Sequence, residues 1–366
     1  MSTAHRPARR GEPTPDHARR VAGTPPRGTL KDVAAAAGVH PSTASRSLDP
    51  TQAFRVRAET RERVLAAAAR LGYQPHRLAG SLRRQRTSTV GVLVADYETP
   101  IYAALLRGIS ARLEREGCVP ISLETQDRHD RLLDSIRILV EHRVDGVITA
   151  ATRAQDLAAL RDLVRSGTPV VMAVRYFRGA GIPIVANDDL RGGALAAEHL
   201  VRLGHRHLAQ LHGPNDVEPF TERSLGYRSV LSRAGLLDPD PVDYADTPTV
   251  EEGRRLMHLV LQRSAQRPTA VFAHNDLIAI GAIEALHEAG LSCPEDVSVV
   301  GYNDMPLTEH LVPSLTTVRM PTVEVGRVAA ETLLGLIRDR DQAPVSITLE
   351  PQLVARASTA PPRPRA

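Results

Sequence analysis

TLKDVAAAAGVHPSTASRSL, residues 29 to 48, carries the punctuation of two short helices joined by a tight turn. Leu30, Val33, Ala34 and Ala37 recur at the spacing of one helical face. Gly38 follows as a left-handed stop, and Val39 is placed to plug the space between the helices. His40 stands at an N-cap position and Pro41 at the first helical position, where a missing N–H costs nothing. On the second helix Pro41, Ser42, Ser45 and Arg46 fall within about 140° of one another. That short polar face with one arginine suits a helix laid into a DNA major groove; an alanine-rich helical hairpin is the plainer reading. A third helix is expected next, with Val64, Leu65, Ala68 and Leu71 on one face and Gly72-Tyr73 ending it.

Charge agrees with the groove reading. The net charge of the 366 residues is +4, and it is unevenly placed. Residues 1 to 28 carry +4 (six arginines against Glu12 and Asp16), residues 29 to 89 carry +7, and the remainder −7. A basic front on an acidic body points to a polyanion partner for the front alone, bound with an affinity that falls as salt rises. Lys31 is the only lysine, a bias that reflects a GC-rich genome more readily than selection for forked contacts. No apolar run has the length of a membrane span, and the N-terminus lacks a signal-peptide core. Cys118 and Cys293 are too few for a disulfide framework or metal site and read as inert, partly buried thiols in a cytoplasmic, reduced protein.

Residues 1 to 28, rich in Pro, Arg and Gly, read as a disordered basic tail: either an arm on DNA or an over-extended start. The segment QPHRLAGSLRRQRTST, residues 74 to 89, holds about two helical turns at most, and Gly80 weakens them, so a flexible basic linker remains open. From Val90 the pattern changes. VGVLVA (90–95), VPISL (119–123), DGVITA (145–150) and PVVMAV (169–174) read as buried parallel strands separated by helix-length stretches. The theme returns at HLAQLHG (207–213), TAVFAHND (269–276) and VSVVGYND (297–304). The fold class is therefore α/β, an N-terminal all-α helix-turn-helix domain plus a core of two doubly wound α/β subdomains with ligands at the strand carboxyl ends. Its expected limits are a tail at 1–28, the helical domain at 29–73, a hinge segment at 74–87, a core at 88–356 and a disordered tail at 357–366. The order of elements resembles a periplasmic-binding-protein-like core, which implies an N-subdomain of about 88–186 and 319–349 and a C-subdomain of about 187–318 and 350–356, with crossovers near Asn187, Val318 and Glu350. No nucleophile-and-base pair, metal spacing or phosphate loop emerges, and Gly192-Gly193 reads as a close-packed helix start, so the chain is not expected to be an enzyme or to hold a cofactor or metal.

The stretch from Thr29 resembles the N-terminus of the lactose-repressor (LacI/GalR) family of bacterial transcriptional regulators through Thr29, Asp32, Val33, Ala34, Ala37, Gly38, Val39, Thr43, Ser45 and Arg46. The resemblance continues through VDG (144–146), LGHR (203–206), the run from Gly213 to Tyr227, Asn275-Asp276, PEDVSVVGYND from Pro294 and LTTV (315–318). It implies a periplasmic-binding-protein-like core and a sequence-specific regulator, more often repressor than activator, acting at the nucleoid in the cytoplasm. A homodimer on a palindromic operator is expected, switched by a small molecule such as a sugar, with no membrane partner. DNA contacts are then expected from Thr29, Pro41, Ser42, Thr43, Ser45 and Arg46, and in the hinge from His76, Arg77, Ala79, Leu82 and Arg83, with Leu82 as the minor-groove wedge. Effector contacts are expected from Tyr102, Arg223, Asn275, Asp276 and Asn303.

Plainer roles stay open for several of these: a loop tether for Arg223, core packing for Tyr102, an N-cap for Asp276. The chain also departs from the family pattern. Asn303 replaces a frequent aspartate, Val174 replaces another, and DTPTVEEG (246–253) has no aromatic lid. These changes put a pyranose in doubt and favour a less hydroxyl-rich or anionic effector. Pro41 stands where a longer side chain often reaches bases, which shifts discrimination to Ser42, Arg46 and the hinge. Two other readings remain: a regulator whose core only dimerises, and a solute-binding protein.

Overall fold

Two side-chain caps and one left-handed glycine define the first helices. In the computed structural model, which describes residues 28–49, 52–73, 86–236, 241–263, 266–340 and 342–363, helix α1 spans Leu30–Ala37. It opens with a reciprocal capping box: the Thr29 hydroxyl accepts the Asp32 N–H and the Asp32 carboxylate accepts the Thr29 N–H at 2.8 Å. Gly38 ends it at φ +64°. In α2 (Pro41–Leu48) the His40 imidazole accepts the Ser42 N–H, and Pro41 opens the helix. Helix α3 (Ala58–Arg70) closes a small core of Val33, Ala34, Ala37, Ala44, Val64, Ala67 and Ala68, with Val39 packed against it between the helices. Leu65 corrects the expected face: it is 44 % exposed, and Ala67 takes the inward position. The expected hinge residues His76, Arg77, Ala79, Leu82 and Arg83, and the tail at 1–27, lie outside the described residues.

The chain divides into units at Met1–Arg83 and Arg84–Ala366. The second unit holds strands β1 (Thr89–Val94), β2 (Val119–Glu124), β3 (Gly146–Thr149), β4 (Val170–Ala173), β5 (Ile184–Asn187), β6 (Leu208–Leu211), β7 (Ala270–Ala273), β8 (Ser298–Asn303), β9 (Thr316–Arg319), β10 (Ser346–Leu349) and β11 (Gln352–Val354). A six-stranded sheet runs β10-β5-β4-β3-β1-β2, every pair parallel. A five-stranded sheet runs β11-β9-β8-β7-β6, parallel apart from β11. Helices cover both faces, so β3 to β8 are buried throughout, and this is why they read as uninterrupted apolar runs. The chain leaves the first sheet after β5, returns after β9 and leaves again after β10.

The helices are α4 (Pro100–Glu114), α5 (His129–Glu141), α6 (Leu157–Arg165), α7 (Asp189–Arg202), α8 (Glu218–Arg233), α9 (Val250–Arg263), α10 (Asp276–Glu288) and α11 (Thr322–Arg338). Three pairs of them cross through reciprocal glycines. A Cβ on Gly193 of α7 would overlap the Arg223 carbonyl of α8, and one on Gly226 of α8 would overlap the Leu190 carbonyl of α7. Gly108 and Gly326 do the same for α4 and α11, and Gly253 and Gly281 for α9 and α10. Gly192 faces the Tyr302 ring at the same crossing, so the expected close-packed helix start is present.

The tail expected from residue 357 is instead bonded into the core through Ser358, Thr359 and Ala360. Ser358 is fully buried; its hydroxyl accepts the Thr316 N–H at 2.8 Å and donates to the Val299 carbonyl, while its own carbonyl accepts the Val299 N–H. The Ala360 carbonyl accepts the Ser298 hydroxyl at 3.1 Å. These residues satisfy polar groups of β8 and β9 that would otherwise be orphaned. Cys118 and Cys293 are free and half-buried, and burial pushes the Cys293 thiol up to about 12, which leaves it inert.

Because the α7–α8 crossing tolerates no Cβ, Gly193→Ala is expected to destabilise the chain by about 1–3 kcal/mol or more. Urea unfolding checks this; wild-type stability would contradict the crossing geometry.

Candidate nucleic-acid interface and ligand cleft

Helix α2 turns Ala44 and Ser47 inward and leaves Pro41, Ser42, Thr43, Ser45 and Arg46 half-buried around its rim. The His40 ring sits 2.9 Å from the Ser42 hydroxyl, and the Thr43 carbonyl accepts the Ser47 hydroxyl. Arg46 lies back along its own helix, its Nε donating to the Ser42 carbonyl at 3.2 Å. A base edge would have to win it from one ordinary hydrogen bond, a modest cost. Thr29 is exposed but committed to the cap of α1, its hydroxyl donating to Asp32 at 2.7 Å.

In the second unit a cluster forms where strand carboxyl ends from both sheets meet. Arg223 is buried there: Nε donates to Asp189 at 2.8 Å and Nη1 to the His274 carbonyl at 2.5 Å. Its guanidinium lies 3.8 Å from the Tyr302 ring centroid and 4.9 Å from that of Phe220. Asn187 donates to the Tyr302 hydroxyl at 2.5 Å. His274 accepts the Gly213 N–H at Nδ1, so Nε2 carries the proton that bonds Gln210 at 3.1 Å. Tyr102 belongs to the same cluster; burial pushes its hydroxyl up to about 12, in the fields of Arg175, Asp127 and Arg223.

Arg175 and Asp127 form a buried ion pair that sequence reasoning missed. Both follow strand ends through left-handed turns, with φ +64° at Val174 and +54° at Asp127. β-Branched Val174 is strained there, and no glycine in the sequence flags the turn. Beyond this pair, one rim of the cleft is clasped. Arg153, after β3, grips Asp216, before α8, through two bonds of 2.7 Å. Tyr176 donates to Glu222 at 2.6 Å, and Arg178 pairs with the same carboxylate at 2.7 Å.

Asn275 and Asp276 have structural duties. Asn275 is the N-cap of α10, accepting the Ile278 N–H at 2.8 Å, while its amide donates to the Pro248 carbonyl at 2.9 Å. Asp276 is the first helical residue rather than the cap, fully buried, and accepts from Thr317 at 2.5 Å and from the Met305 N–H at 2.8 Å. Asn303 sits at φ +112° with its amide oxygen buried and without a hydrogen-bond partner.

Burial pushes Asp276 up to about 7, against its two hydrogen bonds. A carboxyl raised in the folded state adds stability that is complete below its unfolded pKa and is lost as pH rises through 7. The unfolding free energy of wild type minus that of Asp276→Asn is therefore expected to fall by about 1–3 kcal/mol between pH 5 and 8. A pH-independent difference in urea titrations would contradict this.

Comparison with known proteins agrees with this architecture. Residues 29–76 match the bacterial regulatory proteins of the lacI family, and residues 197–359 match a periplasmic binding protein-like domain. The ribose operon repressor of Escherichia coli K12 is 33 % identical over 331 residues, covering 90 % of this chain and 99 % of that one. The Lac repressor dimer bound to operator and an anti-inducer superposes with a TM-score of 0.80 at 28 % identity, covering 91 % of this chain and 99 % of its own. A CelR–cellobiose complex is 33 % identical with a TM-score of 0.68, covering 91 % of this chain and all of that one. The chain belongs to the LacI family of DNA-binding transcriptional regulators.

Proposed function

We propose that residues 29–73 read a palindromic operator as part of a cytoplasmic homodimer, that residues 74–87 join them to the core, and that a neutral, hydroxyl-bearing metabolite in the cleft switches binding. The observation that carries the effector reading is a set of three buried polar atoms without hydrogen-bond partners: Thr125 Oγ1, Asn187 Oδ1 and Asn303 Oδ1. They stand at the carboxyl ends of β2, β5 and β8, drawn from both sheets. Each orphan costs about 1–3 kcal/mol, and the two amide oxygens call for donors. A polyol supplies them.

An anion does not. Arg175 and Arg223, the basic groups nearest the cleft, are already paired with Asp127 and Asp189. This turns the expectation drawn from the Asn303 and Val174 departures back toward carbohydrates, the class bound in the cellobiose complex of a relative. The cleft is read as binding without reacting. A homodimer is supported by β2, an edge strand with Val119 exposed and Ile121 and Leu123 half-buried, beside the exposed Leu133, Ile138 and Val140 of α5.

Two outcomes are expected. Arg46→Ala should weaken operator binding by about 1–3 kcal/mol in fluorescence anisotropy while leaving random DNA nearly unchanged; equal losses on both would remove Arg46 from base readout. In calorimetry on the full chain, at least one neutral saccharide of a panel including cellobiose should bind, about tenfold more weakly to Asn303→Ala. Binding of uronic acids or sugar phosphates alone would overturn the neutral ligand, and binding of nothing would favour a core that only dimerises.

A further inference from the structure

Histidine is not among the residues that usually cap a helix, and at the start of α2 it does more than cap. The His40 Nδ1 accepts the Ser42 N–H at 3.3 Å and lies 2.9 Å from the Ser42 hydroxyl. A ring nitrogen that accepts an N–H carries no proton of its own, so the hydroxyl is the donor across that 2.9 Å contact. The backbone donors of this first turn are spent as well. Pro41 has no N–H, and the Thr43 and Ala44 N–H groups go to the His40 carbonyl at 2.8 and 3.1 Å. What the turn shows a DNA groove is therefore set by its side chains. His40 is exposed and Ser42 half-buried, and Ser42 shares its face with Arg46, whose Nε donates to the Ser42 carbonyl at 3.2 Å. A serine hydroxyl is ordinarily an ambiguous reader of bases, able to accept from an amino group or to donate to a keto oxygen. Here the ambiguity is removed before DNA arrives: the one proton of Ser42 is committed to His40, and its oxygen presents lone pairs alone.

We propose, resting on the operator-reading role of residues 29–73, that His40 is a positioning residue that makes Ser42 a one-way reader. Ser42 then selects the exocyclic amino group of adenine or cytosine over the keto oxygen of guanine or thymine. In the major groove adenine N6 and cytosine N4 are donors, while guanine O6 and thymine O4 are acceptors. A keto base would set oxygen against oxygen with no proton between them, unless the hydroxyl left His40 and gave up that hydrogen bond. Arg46 has the opposite polarity, since a guanidinium only donates and suits the acceptors of guanine. Two neighbouring side chains on one helical face thus ask opposite questions of the groove.

The test is selection by the full chain from a pool of randomised DNA duplexes, followed by fluorescence anisotropy on the enriched site with each base in turn at every half-site position. The position read by Ser42 is the one whose preference Ser42→Ala flattens. There the wild type is expected to bind adenine or cytosine about tenfold more tightly than guanine or thymine. His40→Ala frees the hydroxyl proton and should bind amino and keto bases within about twofold of each other. His40→Asn, whose amide oxygen can accept in place of the imidazole, should keep the wild-type ratio. Each ratio is taken within one variant, so a weaker cap that lowers all affinities alike does not move it. A keto preference in the wild type, an amino preference that survives in His40→Ala or is lost in His40→Asn, or no position flattened by Ser42→Ala would overturn the proposal and leave operator reading intact. A pool that yields no enriched sequence would overturn operator reading and the proposal together.

Discussion

Arg223 is a full positive charge placed where almost no water reaches, and much of the second unit is arranged around keeping it there. Asp189 supplies the counter-charge from the first residue of α7, the His274 carbonyl takes a second donor from the end of β7, and the rings of Phe220 and Tyr302 lie against the guanidinium. Removing one partner from such a pair leaves an uncompensated buried charge, which costs about 3–5 kcal/mol. The constraint is geometric as well as electrostatic. For Arg223 to reach Asp189, α7 and α8 must cross closely, and Gly193 and Gly226 permit that crossing by removing the side chains that would hold the backbones apart. Tyr302 reaches the same point because Gly192 leaves room for its ring.

From that anchor the rest of the site acquires its character. With Arg223 and Arg175 each neutralised by an aspartate, the cleft offers hydrogen-bonding groups rather than net charge. Its unsatisfied atoms belong to Thr125, Asn187 and Asn303, on strands of both sheets. A ligand satisfying all three would favour one relative placement of those strands, and a ligand that discriminates between two placements shifts the equilibrium between them. The ion pairs of Arg153 with Asp216 and Arg178 with Glu222 tie loops after β3 and β4 to the turn before α8 and to α8 itself along one rim, so any such shift is resisted there.

How much of this could be read from the sequence follows from where each interaction is made. The helix-turn-helix was legible because its caps are local: Thr29 with Asp32, His40 with Ser42, Gly38 with its own turn. Strands β1, β3, β4 and β6–β8 were legible because burial on both faces leaves a mostly apolar run, and the half-buried edge strand β2 was legible from its own apolar residues. The packing of residues 358–360 was not, since Ser358 and Ala360 bond to residues some forty to sixty positions away. The swap of Leu65 for Ala67 turns on two neighbouring positions of a helix rich in alanine, where side-chain size marks no face. The cap expected at Asp276 falls on Asn275 because a one-residue shift of the helix start decides which of them is the cap. The Arg175–Asp127 pair was hidden because left-handed turns at non-glycine residues leave no mark in a sequence.

Fluorescence anisotropy of the full chain on DNA from upstream of its own gene, across salt concentrations, with and without neutral saccharides, measures operator binding and its switching together. Tight binding that weakens steeply with salt and is altered by one neutral saccharide is the predicted result. Binding no tighter than to random DNA, or operator affinity that responds only to charged metabolites, would contradict it.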